Sequence, residues 1–300
     1  MLRNYNINVG RIKQLPHGTR NANLLLETNA GKKVLRVYLH KSMQETALDR
    51  EALSQLAKSP FPSPRLLKTS KGRLPSFHGH PVVVYDWIVG NMASSKDPSR
   101  LEEVGAWMGF LHKTLSRLQA PKSFHGIWDY PRILSLTRFW RPRLIRMGYP
   151  HAQELFTFIQ DELGLIKWPQ HLPTGFTHQD IKPENVLAQG GRVTVILDFD
   201  NAYIGELIND LTTTMLWWCT PNDRLDPKRV RRFLKGYERE RTFTSTERAI
   251  VLGDAFRFRM LRELLIWPMR CYHKPDIAEK HVRRLLRLYQ NAYKKRPAFV

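Results

Sequence analysis

The sequence predicts an α+β fold, with a small antiparallel β-rich part over residues 1–89 and a larger, mainly helical part over residues 90–300. Three observations carry this. Up to Ile88 the apolar residues fall in short runs of strand formers broken by turn residues. From about Gly90 they recur at three- and four-residue spacing, the period of a helix with one buried face. Finally, 300 residues with 42% hydrophobic content can bury a core suited to one large domain or two lobes.

Taken in order, Tyr5 to Gln14, Asn21 to Glu27 and Lys32 to Leu39 are strand-like, with Asn29-Ala30-Gly31 as a hairpin turn. Met43 to Ala57 reads as a helix because Leu48, Ala52 and Leu56 stand four apart and make one apolar face, with Glu51 beside it. Pro60, Pro62 and Pro64 end it, since proline lacks the N–H a helix needs. Arg65 to Thr69 and Pro81 to Ile88 are the next strands. The second is almost continuously apolar, as expected of a central strand. Asp97-Pro98 is an N-cap followed by a first-turn proline, opening a helix to Leu118 that carries Leu101, Val104, Gly105, Met108 and Leu111. Further helices are expected over 152–164, 210–218, 227–240, 245–271 and 276–295, with Pro268 ending or kinking the one that contains it. No internal repeat or low-complexity linker is present.

The charge balance is unusual: 48 basic against 27 acidic residues gives +21. Arg229, Arg231, Arg232 and Lys235 interleave with Val230, Phe233, Leu234 and Tyr237 at helical spacing, which reads as the basic solvent face of an amphipathic helix. Such a balance also favours anionic ligands such as a nucleotide or an acidic substrate. Without a zinc-finger or RNA-binding motif, no specific nucleic-acid partner is expected. No apolar run reaches the length of a membrane span, and the N-terminal residues lack a signal-peptide core, so no membrane association is expected. Two cysteines, Cys219 and Cys271, make no disulfide framework and point to a reducing cytoplasm. Oligomeric state is not set by these features.

The chemistry is concentrated in Gly175 to Leu187, which contains His178-Gln179-Asp180 and then Lys182 and Asn185, followed by Val195-Ile196-Leu197-Asp198. Phosphoryl transfer from ATP needs these parts in this order: a carboxylate to receive the acceptor hydroxyl's proton, then an amide and a carboxylate to hold magnesium. Gly190-Gly191 separates two strand-like runs and signals a two-residue hairpin, because primed turns need positive φ at both central residues. That turn sets Gln189 against Arg192 and, counting back, Asn185 against Ile196. Asp198 then lies on Asn185's face as its diagonal neighbour, about 7–8 Å away. Amide and carboxylate oxygens suit a hard cation such as Mg²⁺. A slip of one residue would turn one strand's faces over.

These residues together resemble the protein-kinase-like phosphotransferases that act on small molecules: aminoglycoside phosphotransferases, choline kinases and the second type of homoserine kinase. Leu15 to Leu26 is similar to the family's nucleotide-covering loop and second strand, and Val34-Leu35-Arg36 to its third. Leu111-His112, His178-Gln179-Asp180, Asn185, Asp198 and Gly205…Asp210 follow the family's order, and Ala255 to Arg262 is similar to a homoserine-kinase helix. The resemblance implies a bilobal protein-kinase-like fold using ATP and Mg²⁺. Asp180 would be the catalytic base, with Lys182 reaching the transferred phosphate and Asn185 and Asp198 the metal. Gly18, Thr19 and Asn21 would meet the nucleotide, and Tyr85 and Trp87 would lie in a hinge whose backbone holds adenine. Arg36 stands where kinases carry a lysine, with Glu51 as its expected partner. His178 and Asp210 would be structural, Asp210 bracing the catalytic loop.

For the acceptor, the resemblance leans to a homoserine-like molecule or an amino alcohol, with Arg257 or Arg259 meeting a carboxylate. An aminoglycoside is the alternative, although a +21 chain repels polycations at long range. A protein kinase is disfavoured because Asp198 to Asp210 leaves no room for an activation segment. A nonenzymatic scaffold is disfavoured because Asp180, Asn185 and Asp198 are all present.

Overall fold

The computed structural model describes residues 2–15, 20–70 and 72–295. In chain order the first strands and helix are β1 (Val9–Gln14), β2 (Ala22–Thr28), β3 (Gly31–Val37), α1 (Ala47–Leu56), β4 (Ser76–Phe77), β5 (His80–Asp86) and β6 (Asn91–Met92). Then follow α2 (Leu101–Thr114), α3 (Tyr130–Arg146), α4 (Ala152–Gly164), β7 (Thr174–Thr177), β8 (Val186–Gln189), β9 (Arg192–Ile196) and β10 (Tyr203–Glu206). The chain closes with α5 (Ile208–Trp218), α6 (Pro227–Glu238), α7 (Ser245–Ile250), α8 (Asp254–Cys271) and α9 (Pro275–Tyr293). The expected division into an antiparallel N-terminal part and a helical C-terminal part is what forms. Two compact units result: residues 1–93 with 184–202, and residues 94–183 with 203–300.

In the first unit the sheet order is β1-β2-β3-β5-β4, every pairing antiparallel. Its core is Tyr5, Ile7, Leu26, Leu35, Val37, Val82 and Val84, drawn from alternating positions of the strands and the segment before β1. On α1 the residues at four-residue spacing, Leu48, Ala52 and Leu56, are buried as expected. Arg65 to Thr69 does not form a full strand. It makes one bridge, Leu66 to Tyr85, in which the Leu67 N–H donates to the Val84 carbonyl at 2.8 Å and the Asp86 N–H to the Arg65 carbonyl at 3.0 Å.

Residues 184–202 join this unit rather than the one preceding them in the chain. β8 pairs with both β6 and β9, and the Ile196 N–H donates to the Pro62 carbonyl at 2.7 Å. The β8–β9 turn is the expected two-residue glycine turn, with φ of 55° at Gly190 and 83° at Gly191 and Gln189 opposite Arg192. The register farther back departs from expectation. Ala188 faces Val193 but Leu187 faces Val195, so Thr194 is an extra residue and Val186, not Asn185, opposes Ile196. Thr194 Oγ1 donates instead to the Val89 carbonyl at 3.3 Å.

In the second unit β7 and β10 form a two-stranded antiparallel sheet, Tyr203 opposite Thr177, and helices supply the rest of the core. α2 and α6 approach so closely that a Cβ on Gly236 would stand 1.9 Å from the Glu102 carbonyl oxygen, and one on Gly105 2.1 Å from that of Phe233. Glycine is required there by contact. α3 was not marked as an element by the sequence; only Ile133, Thr137 and Leu144 are buried on it, too sparse an apolar stripe to announce a helix. The 245–271 segment is two helices, α7 and α8, divided at Val251 to Gly253. α8 continues past Pro268 to Cys271. No helix among the described residues is long and apolar enough to cross a membrane.

Candidate active site

β7 ends at Thr177, whose hydroxyl donates to the Tyr203 carbonyl at 3.0 Å, so the chain leaves the small sheet from a fixed point. His178 is buried, and its Nδ1 accepts the Asp180 N–H at 3.2 Å, folding the turn back on itself. Gln179 has φ of 64°. A non-glycine residue in this region costs roughly 1–3 kcal/mol and persists only where its surroundings enforce it. The enforcement comes from Asp210 on α5: its Oδ2 accepts the His178 N–H at 2.8 Å and its Oδ1 the Gln179 N–H at 2.6 Å.

Asp210 is itself fully buried, and burial opposes its charge. The neighbouring His112, His178 and backbone donors outweigh that and hold its carboxyl below the usual carboxylate range. His112 Nε2 lies 3.0 Å from Asp210 Oδ2, and its Nδ1 lies 2.8 Å from the Tyr237 hydroxyl. Arg241 donates to that hydroxyl at 2.9 Å. With Nε2 protonated, donors run in one direction from Arg241 through Tyr237 and His112 to Asp210.

The far side of the loop is tied down too. Trp218 Nε1 donates to the Ile181 carbonyl at 3.1 Å, and Arg262 donates to Gln179 Oε1 at 2.8 Å. Asp180 and Lys182 stay partly accessible, with side chains 13% and 32% exposed, and Lys182 Nζ stands 3.2 Å from Asp180 Oδ1. A braced turn thus presents one carboxylate and one ammonium.

The first unit holds a second cluster. Arg36 on β3 donates from Nη1 to Asp198 Oδ1 at 3.1 Å and to Asp200 Oδ1 at 2.9 Å, and from Nε to Asn23 Oδ1 at 3.0 Å. Asn21 donates to the other Asp200 oxygen. Burial works against the Arg36 charge, but Asp198 and Asp200 outweigh it and raise its pKa further. Asp198 has φ of 68°, the second strained residue of the motif, and opens the 3-10 turn Phe199–Asn201. Asn185 closes the 3-10 turn Pro183–Asn185, and its carbonyl accepts the Leu197 N–H at 2.7 Å. The bulge moves the strand pairing by one residue, so the expected register that set Asp198 on Asn185's face as its diagonal neighbour does not form; the Asn185 carbonyl instead meets the residue before Asp198.

Carboxylate and amide oxygens are donors that Mg²⁺ accepts, and two of these carboxylates already share one positive nitrogen. The set fits a hard cation. Among the described residues no three His, Cys, Asp or Glu side chains group as a metal site.

The pairing expected between Arg36 and Glu51 does not form. Glu51 is exposed and accepts from Gln55 at 3.0 Å. The buried acid of α1 is Asp49, paired with Lys41 at 2.5 Å, and burial pushes its carboxyl up to about 7. Helical geometry makes the difference: Asp49 shares the face of Ala52, Leu53 and Leu56, and Glu51 lies off it. Tyr85 is buried, its hydroxyl 3.1 Å from that of Tyr38. Trp87 is part-exposed, and its N–H donates to the Lys32 carbonyl at 3.2 Å. Gly18 and Thr19 lie outside the described residues. Arg257 pairs with Glu162 and the Tyr289 hydroxyl, away from Gln179. Sequence reasoning passed over Asp200 and Arg262. The first stood in plain view two residues after Asp198; the second had only its place on the α8 segment to recommend it.

Comparison with known proteins agrees with this chemistry. The model of the phosphotransferase enzyme family, APH, matches residues 11–245. A homoserine kinase of Nitrobacter winogradskyi is 27% identical over 290 residues, covering 91% of this chain and 85% of its own length. Among solved structures, an amicoumacin kinase in complex with AMP-PNP, Ca²⁺ and Ami superposes with a TM-score of 0.67 at 16% identity, over 95% of this chain and 89% of that one. A choline kinase of Cryptosporidium parvum gives 0.64 at 15% identity, over 95% and 89%. At these identities the structures establish the shared protein-kinase-like fold. The family match, spanning the glycine turn, both aspartates of the motif and the Asp210 brace, establishes that the chain belongs to the APH phosphotransferase enzyme family.

Proposed function

We propose that this phosphotransferase is an ATP- and Mg²⁺-dependent kinase moving the γ-phosphate to the hydroxyl of a homoserine-like molecule or an amino alcohol. The observation that carries the acceptor class is the likeness, along 91% of the chain, to a protein known as homoserine kinase. The +21 charge favours an anionic or zwitterionic acceptor over a polycationic aminoglycoside.

In this reading Asp180 orients the acceptor hydroxyl and receives its proton late in a loose transition state, where position counts for more than basicity. Lys182, held beside it, supplies positive charge to the phosphoryl group being transferred. Asn185 and Asp198 would hold the metal, with Asp200 next to them. The chemistry a bound Mg²⁺ would supply is positive charge that partly neutralises the nucleotide phosphates. Arg36 offsets the two aspartates until that positive charge arrives, and its fork can then meet a phosphate. Residues 1–89, with Gly18, Thr19, Asn21, Tyr85 and Trp87, would serve the nucleotide, and residues 90–300 catalysis and the acceptor. Two free cysteines suit a cytoplasmic setting.

The test is ATP consumption in the presence of homoserine, choline, ethanolamine or an aminoglycoside. Homoserine should stimulate turnover most. Tight ATP–Mg²⁺ binding with no stimulation by any acceptor would overturn the reading in favour of a scaffold.

A further inference from the structure

Asp180 and Lys182 serve the proton and the phosphate, but neither reads what the acceptor carries besides its hydroxyl. Behind the loop, α8 brings two arginines to the side chain of Gln179, the residue before Asp180. Arg259 and Arg262 are each 3% exposed. Arg262 donates to Gln179 Oε1 at 2.8 Å, while Arg259 and the Thr213 hydroxyl reach the same oxygen only at 3.5 and 3.4 Å. The single Thr213 hydroxyl proton goes to the Asn209 carbonyl at 2.6 Å, so two guanidiniums share this one amide oxygen.

The excess of donors lies in the rest of the cluster. Among the described residues, Arg259 Nε, Arg262 Nε, Arg262 Nη1 and Gln179 Nε2 are buried without any protein acceptor. Native structures leave few such donors, and several in one cluster call for an explanation. The charges are unbalanced as well. Glu263 pairs with Arg259 at 3.0 Å, leaving one positive charge over among the three. Asp129 and Asp180 act on the pair through space, but Asp129 accepts from Tyr203 and Asn209, and Asp180 pairs with Lys182. Burial first, and then the neighbouring Arg262, pull the Arg259 guanidinium down to about 10. Glu263 offsets only part of that, so the two neighbouring guanidiniums share too little negative charge between them.

We propose that Arg259 and Arg262 form the subsite that recognises a carboxylate on the phosphoryl acceptor. A carboxylate, with two anionic oxygens, takes the donors now crowded on Gln179 Oε1 and supplies the missing negative charge. The acceptor class narrows accordingly, from homoserine-like molecule or amino alcohol to hydroxy amino acid. Because the donors converge on the residue before Asp180, acceptor binding is read next to the catalytic base. This inference rests on the small-molecule kinase reading above.

The experiment compares kcat/KM for homoserine, for its uncharged amide and for 3-aminopropan-1-ol, which lacks the carboxyl group. The native enzyme should prefer homoserine over both by about 100-fold, the scale set by buried donors left without an anionic partner. In Arg262→Gln the preference should collapse toward unity, and Arg262→Lys should retain part of it. Thermal melting checks that the variants fold, and if they do not, the native-enzyme comparison decides alone. Equal use of the three acceptors by the native enzyme, or an unchanged preference in folded Arg262→Gln, overturns the subsite while leaving the kinase reading intact. Turnover with none of the three overturns the acceptor reading and the subsite with it.

Discussion

Replacing Asp210 with asparagine should destabilise the protein by about 3 kcal/mol, a figure that follows from the bonds the residue makes. The carboxylate is fully buried and accepts from the His178 N–H, the Gln179 N–H and His112. An asparagine keeps one oxygen, so one backbone N–H stays satisfied and the other faces an NH₂ group. A buried donor left unsatisfied costs about 1–3 kcal/mol, and the remaining bonds lose their charge assistance, roughly 1 kcal/mol apiece. For a chain of this size the melting temperature should drop by about 5 °C. Urea denaturation and calorimetry measure this directly. The pH dependence supplies a sign check. Asp210's folded pKa lies below its ordinary value, so its contribution is present above about pH 4 and disappears as pH falls through the folded value. The native and Asp210→Asn proteins should therefore converge in stability only at acid pH. Turnover should fall together with stability, since the Gln179 conformation at φ of 64° is held by the same carboxylate. A variant within about 0.5 kcal/mol of the native protein at pH 7 would refute the brace, because ordinary surface substitutions stay inside that range.

Asp180→Ala should lower the phosphotransfer rate by at least about 100-fold while circular dichroism stays native, the usual scale for loss of a general base. Asp198→Ala should lose activity comparably, and full activity in either variant would sink the assignment. Gly236→Ala should destabilise by about 1–3 kcal/mol, because its Cβ would meet the Glu102 carbonyl oxygen at 1.9 Å and force α2 and α6 apart; the melting temperature reports it. Asp49 has a folded pKa of about 7, above its unfolded value, so its protonated form favours folding at low pH and that contribution is lost as pH rises toward 7. Asp49→Asn should flatten the fall in stability between pH 4 and 7, read from urea midpoints across that range.

Much of the fold was legible because local chemistry dictated it. The glycine turn at Gly190-Gly191 formed as read, since two positive φ angles leave few other choices. The Asp97 cap formed as well, its side chain accepting the Ser99 N–H at 2.8 Å. The buried face of α1 followed from periodicity alone. The register behind the glycine turn was not legible. A bulge costs the sequence nothing visible, and the extra residue, Thr194, finds a partner for its hydroxyl in the Val89 carbonyl, which lies far off in the chain. Helix α3 stayed hidden for a different reason, its apolar stripe being too thin to register as a period.

The motif from His178 to Asp198 determined the reaction class by itself, because phosphoryl transfer demands those groups in that order. Which side chains answer Arg36, Gln179 and Asp210 belonged to the tertiary structure. Arg36 meets Asp198 and Asp200, more than 160 residues away in the chain, instead of Glu51, only 15 away. Gln179 is met by Arg262 and Arg259, some 80 residues on. A buried charge takes whichever opposite charge or hydrogen-bonding group the packing brings within about 3 Å, and distance along the chain has no bearing on that choice.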